Sequence, residues 1–108
     1  MLEKQIQASI LRALNLSPLV GLAWRNNTGA MKVPASKGKA SRFIKFGEAG
    51  MSDILGVLKT GQFFAIEVKQ PEKKATALQQ AFIDNVNDSG GRAGVATSVD
   101  EAMGIIGQ

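Results

Sequence analysis

Two short apolar runs, Ile54 to Leu58 and Gln62 to Val68, are separated by Lys59-Thr60-Gly61, and this spacing constrains the chain more than any other feature. Each run is too short for a helix and is rich in branched or aromatic residues, which is the pattern of a strand. A three-residue hairpin loop is commonly a type I turn followed by glycine in the left-handed region. Lys59-Thr60-Gly61 fits that form, so Leu58 pairs with Gln62. Counting away from the turn, Val57 meets Phe63, Leu55 meets Ala65 and Asp53 meets Glu67. A two-residue loop would shift the pairing by one position and undo the alignment.

Directly opposed residues in an antiparallel pair share a face, with Cβ atoms roughly 5 Å apart. Alternation places Phe64, Ile66 and Val68 on one face, and Phe63, Ala65, Glu67 and Lys69 on the other. Asp53, Glu67 and Lys69 therefore converge at one end of the hairpin. Two carboxylates so placed repel unless something positive lies between them. Together with the backbone carbonyl of Val68 they offer hard oxygen ligands of the kind that Mg²⁺ or Mn²⁺ takes, with water completing the shell. A cation there acidifies a water and stabilises negative charge on a phosphodiester oxygen. Lys69 beside it would orient the attacking water or stabilise the developing charge. The bland reading is an exposed hairpin end with a Glu67–Lys69 surface ion pair, which contributes little.

Composition narrows the chemistry. The 108 residues fit one domain, 1–108, and contain no cysteine and no histidine. Disulfides, thiolate or imidazole metal sites and Ser-His-Asp or Cys-His catalysis are thereby excluded. Catalysis is left to carboxylates, lysines, amides and hydroxyls, with a hard cation. Residues 1–50 carry eight basic and two acidic side chains, whereas residues 51–108 carry five and seven. Between Arg25 and Lys45 lie six basic residues (Arg25, Lys32, Lys37, Lys39, Arg42, Lys45) and no acid. Such a stretch beside an acid-bearing half suits an enzyme that grips a polyanion, and these six are the expected phosphate contacts. It also reads, more plainly, as a solubilising loop. The start, Met1-Leu2-Glu3-Lys4-Gln5, has no signal-peptide core, and no apolar run approaches the ~20 residues of a membrane span, so a cytoplasmic protein of a bacterial or phage-infected cell is expected.

The remaining elements follow from periodicity. Leu2, Ile6, Ile10 and Leu14 recur at spacing four and predict a helix over 2–14, interrupted at Ser17-Pro18. A strand is expected around Leu22 to Asn26, followed by turn chemistry at Asn27 to Gly29. Residues 34–41 predict an exposed loop, Arg42 to Phe46 a short strand, and Gly47 to Gly50 a turn. Beyond Gln70-Pro71, a helix is expected over 75–87 with Leu78, Phe82 (with Ile83) and Val86 as its apolar positions and Gly90-Gly91 closing it. Ala93 to Thr97 predicts another strand, and Ser98 caps a terminal helix over 99–106. Trp24 is expected to pack in the core or on the sheet. The order of helix, two or three strands, helix, strand and helix predicts an α/β fold with a mixed sheet flanked by helices.

Gly50-Met51-Ser52-Asp53, the hairpin and Glu67-Val68-Lys69 together resemble the PD-(D/E)XK nuclease superfamily, and the fuller layout resembles its virus-type replication-repair nuclease (VRR-NUC) domain. The resemblance spans nearly the whole chain, in the manner of a minimal, stand-alone member. It implies a restriction-endonuclease-like core, divalent-metal-dependent phosphodiester hydrolysis and structured DNA as substrate. It adds Glu3, from the first helix, and Gln79, from the helix after the Glu-x-Lys element, as supporting catalytic residues beside Asp53, Glu67 and Lys69. Each has a plainer role open to it, Glu3 as a charge at a helix start and Gln79 as a solvent-facing helix residue. Ser52 stands where the motif's name has proline. Viral stand-alone members look like homodimeric four-way (Holliday) junction resolvases, which makes branched DNA and a second copy of the chain the expected partners. Two other readings stay open: a flap- or sequence-directed nuclease, and a non-catalytic DNA-binding module on the same fold.

Overall fold

The computed structural model describes residues 2–26, 29–38, 40–46 and 50–107, and over 29–33 and 42–46 it describes the backbone alone. In chain order the elements are α1 (Glu3–Leu16), β1 (Val20–Arg25), β2 (Gly29–Val33), β3 (Arg42–Phe46), β4 (Ile54–Leu58), β5 (Phe63–Val68), α2 (Ala77–Asp88), β6 (Arg92–Ala96) and α3 (Val99–Ile105). The expected α/β class holds. Five strands, rather than two or three, stand between the first two helices. The strand with no expected counterpart is Gly29 to Val33, which has no alternating pattern of its own and pairs along its whole length with Arg42 to Phe46.

Four strands form the main sheet in the order β1-β4-β5-β6, with β1/β4 and β4/β5 antiparallel and β5/β6 parallel. The parallel pair requires a crossover, which α2 supplies. The hairpin register is the one the turn dictates: Val57 opposes Phe63, Gly56 opposes Phe64, Leu55 opposes Ala65 and Ile54 opposes Ile66. Gly61 donates its N–H to Leu58 O at 2.8 Å and adopts φ +94°, a conformation that side chains resist and glycine accepts. At Gly56 the reason for glycine is space. A Cβ there would run into the Phe64 ring and lie 2.5 Å from Leu22 O.

Side-chain alternation sorts the core. Phe64, Ile66 and Val68 join Ile54, Leu58, Val20 and Ala23 beneath α1 and α3, which contribute Ile6, Ile10, Leu14, Ala102 and Ile106. Each such buried Ile or Leu stabilises the fold by about 1.5–3 kcal/mol. Ile83 of α2, Leu55 and Ala65 are buried but stand outside that cluster, since α2 packs on the opposite face of the sheet. Of the expected apolar positions of α2, Ile83 is the buried one, and Leu78 is largely exposed. Trp24 is also partly exposed, at 40%, because β1 is the edge strand and α2 covers β5 and β6 instead. β2 and β3 form a separate antiparallel ribbon outside the main sheet. The expected turns at 27–29 and 47–50 fall mainly on residues outside the described ones.

Candidate active site

At the end of the hairpin away from its turn, β4 gives way to a bend at Asp53 while β5 continues through Glu67 and Val68. Strand pairing alone would leave the Val68 N–H without a partner there. The Asp53 carboxylate supplies one, with Oδ2 accepting the Val68 N–H at 2.8 Å. The next residue, Lys69, turns its N–H the other way, to Ala96 O of β6 at 3.1 Å. Because backbone groups alternate along a strand, the Val68 carbonyl shares the edge of its own N–H and faces the Asp53 side.

Glu67 is only 2% exposed, an uncommon setting for a carboxyl. Burial first, then the neighbouring Asp53 carboxylate and its charge, push its pKa from 4.5 up to about 8. The nearby Lys69 ammonium acts in the opposite sense, and Glu3 adds to the rise. The Lys69 Nζ lies 3.9 Å from Glu67 Oε2, with both side chains mostly covered. Glu67 Oε1 is buried and makes no hydrogen bond. The three residues expected to converge are thus together, and Glu3, exposed in the first turn of α1, is close enough for its charge to reach Glu67.

Gln79, expected as a supporting catalytic residue, stands in the first turn of α2. Its side-chain oxygen accepts the Thr76 N–H at 2.8 Å, and its own N–H donates to Thr76 Oγ at 3.2 Å. This reciprocal pair is a capping box, which satisfies the open backbone groups at the start of α2. The sequence Thr76-Ala77-Leu78-Gln79 carries that signature, so the residue type is explained by the helix end.

One residue that sequence patterns passed over holds the main chain at Asp53 in place. Asn26, at the end of β1, donates its N–H to Asp53 O at 2.7 Å and its side-chain Nδ2 to Ser52 O at 3.2 Å. Ser52 is fully buried, and its hydroxyl has no partner. Nothing in local spacing links Asn26 to a carboxylate 27 positions away. Gly50, with φ +80°, brings the approach to Asp53 onto the first turn of α2, where a Cβ would lie 2.5 Å from Leu78 O.

Of the six basic residues expected at phosphates, Arg25 is exposed at the end of β1 beside Ile54, and Lys37 is exposed between the ribbon strands. The backbone of Lys32, Arg42 and Lys45 lies in the ribbon, and their side chains, like all of Lys39, are outside the described residues.

Among the described residues, no group of three or more His, Cys, Asp or Glu side chains is gathered for a metal ion. The donor set at this point is two carboxylates and a backbone carbonyl, all hard oxygen, and one of those oxygens is buried without a partner. That set fits a small divalent cation that keeps several of its waters.

The VRR-NUC domain profile matches residues 1–100, nearly the entire chain. The chain belongs to the VRR-NUC family. It is accordingly a nuclease domain of the PD-(D/E)XK type, on a restriction-endonuclease-like core of mixed sheet and flanking helices. Membership in a VRR-NUC nuclease family implies DNA as the macromolecule bound and a divalent metal as the usual cofactor. No curated protein matches the sequence. Among the described residues, no helix of this VRR-NUC domain is long and apolar enough to cross a membrane.

Proposed function

We propose that this VRR-NUC domain is a Mg²⁺- or Mn²⁺-dependent endodeoxyribonuclease that cuts branched DNA, as a homodimeric four-way junction resolvase. The observation that carries the catalytic part is the buried Glu67 carboxyl, with one oxygen unpartnered, 3.9 Å from Lys69 Nζ and next to Val68, whose N–H holds the Asp53 carboxylate. Asp53, Glu67 and the Val68 carbonyl would hold the cation, which when bound supplies an acidified water and neutralises charge on the phosphodiester. Lys69 orients that water or stabilises charge gathering on the phosphate oxygens. Glu3 adds negative charge at the edge of the site and supports the cation through water. Arg25, Lys32, Lys37, Lys39, Arg42 and Lys45 hold the DNA by its phosphates. Most of them belong to the ribbon, which follows Asn26 in the chain, and the bonds of Asn26 reach Asp53, which supports a grip on the same DNA that meets the carboxylates.

The dimer follows from symmetry. Paired incision of a four-way junction needs two sites related by a two-fold axis, and one chain carries one such site. Leu22 and Trp24, exposed on edge strand β1, offer apolar surface for such pairing.

A panel of labelled duplex, flap, nicked and four-way DNA, incubated with Mg²⁺ or Mn²⁺, tests the reading. Cleavage should favour the four-way substrate and fall at least ~100-fold in Asp53→Asn and in Lys69→Ala, with DNA binding retained. Equal cutting of plain duplex would remove the junction assignment, and full activity in Asp53→Asn would remove the catalytic one.

A further inference from the structure

The Ser52–Asp53 peptide has to be fixed if the Asp53 carboxylate is to meet a cation at a set place. A proline before the aspartate would do this by locking φ near −65°. Serine does not. Here β1 does the holding. The last paired residues of β1 and β4 are Arg25 and Ile54. Asn26 carries the ladder one step further with its N–H on Asp53 O, at 2.7 Å. Its carboxamide then reaches the next carbonyl, that of Ser52, at 3.2 Å. On the opposite side the Val68 N–H binds Asp53 Oδ2 at 2.8 Å, so main chain and carboxylate are held from both neighbouring strands.

We propose that Asn26 is a positioning residue for Asp53: its carboxamide fixes the Ser52 carbonyl, and through it the place where Asp53 presents its carboxylate to the metal. The proposal rests on Asp53 being a metal ligand. Outer groups that orient a ligand typically matter 10–100-fold for metal affinity. The Asn26→Ala change removes the Ser52 contact and leaves the backbone bond to Asp53 O intact.

Two readouts, neither of them cleavage, test it in the full chain. The first is Mn²⁺ affinity without DNA, from the free-ion electron paramagnetic resonance signal. The second is hydrogen exchange of the Val68 amide in metal-free protein, since its described partner is Asp53 Oδ2. Asn26→Ala should weaken Mn²⁺ binding about 10-fold or more and speed Val68 exchange by a similar factor, while Ile54 and Ile66 amides stay protected. Adding Ser52→Pro to Asn26→Ala should restore much of the Mn²⁺ affinity, because the ring supplies the lost constraint. If Ile54 and Ile66 lose protection in Asn26→Ala, Asn26→Ser, which keeps a small polar side chain, carries the same test. Mn²⁺ affinity and Val68 exchange both within two-fold of the parent would overturn the proposal. A parent that binds no Mn²⁺ would instead count against Asp53 as a ligand, and the exchange measurement would still judge the clamp.

Discussion

Replacing Glu67 by glutamine should stabilise the metal-free protein, and by an amount that depends on pH in a defined way. The carboxyl titrates at 4.5 when exposed and at about 8 in the fold. Between those values the folded chain keeps a proton that the unfolded chain releases, so stability falls as pH rises across the window. Below pH 4.5 both states are protonated and there is no penalty; above pH 8 both are ionised and it no longer grows. At 1.36 kcal/mol per unit, the cost is about 1 kcal/mol at pH 5, about 3 kcal/mol at pH 7 and about 5 kcal/mol at pH 9. Glu67→Gln has the same shape and no charge, and it removes that cost. For a domain of this size the gain at pH 7 corresponds to a Tm higher by on the order of 10 °C. The assay is thermal unfolding of both proteins in chelator from pH 5 to pH 9. Adding Mg²⁺ or Mn²⁺ should then raise the Tm of the parent and leave Glu67→Gln nearly unmoved. A Tm difference that stays constant from pH 5 to pH 9 would refute the reasoning, because it would mean that Glu67 ionises alike in the folded and unfolded chains.

Ser52→Ala should be neutral or stabilising by about 1 kcal/mol in chemical denaturation, since it removes a buried hydroxyl without a partner; a loss of more than ~1 kcal/mol would show that the hydroxyl has a bond in solution. Gly56→Ala should cost several kcal/mol, on the order of an overpacked core, because a Cβ meets the Phe64 ring and the Leu22 carbonyl; an unchanged urea midpoint would contradict the packing. Gln79→Ala should lower stability by about 0.5–1 kcal/mol and leave the cleavage rate within a few-fold, as expected for half of a capping box. A large loss of cleavage at full stability would return Gln79 to the catalytic set.

Where a short-range rule governs a long-range contact, the structure was readable in advance. The glycine-ended turn at 59–61 sets the β4–β5 register, and that register carries Asp53 to Glu67. The spacing-four stripe of α1 likewise names Ile6, Ile10 and Leu14 as buried. Other features depend on which neighbour covers a residue, and periodicity does not report that. Trp24 looks like a core residue, yet it sits on an edge strand beyond the reach of α2. In α2, Leu78, Phe82, Ile83 and Val86 form a plausible stripe, but only Ile83 of these is buried. Gln79 fits two roles with one side chain, and the structure shows the one at the helix end. Asn26 leaves no local trace, because what it binds lies on another strand.

The three-residue tip between β4 and β5 touches none of the groups assigned to chemistry. It stands five residues from Asp53 along β4, roughly 17 Å at the rise of a strand. Even so, its length decides which way the side chains of the hairpin point. Thr60 is exposed, and its hydroxyl accepts the Gln62 N–H at 3.4 Å within the turn. An odd insertion that slid one strand past the other would send either Asp53 or Glu67 to the far side of the sheet, leaving a well-folded protein unable to assemble its ligand pair. Residue count at this tip is therefore as fixed as the glycine that ends it, and the most remote point of the hairpin acts as the ruler of its catalytic end.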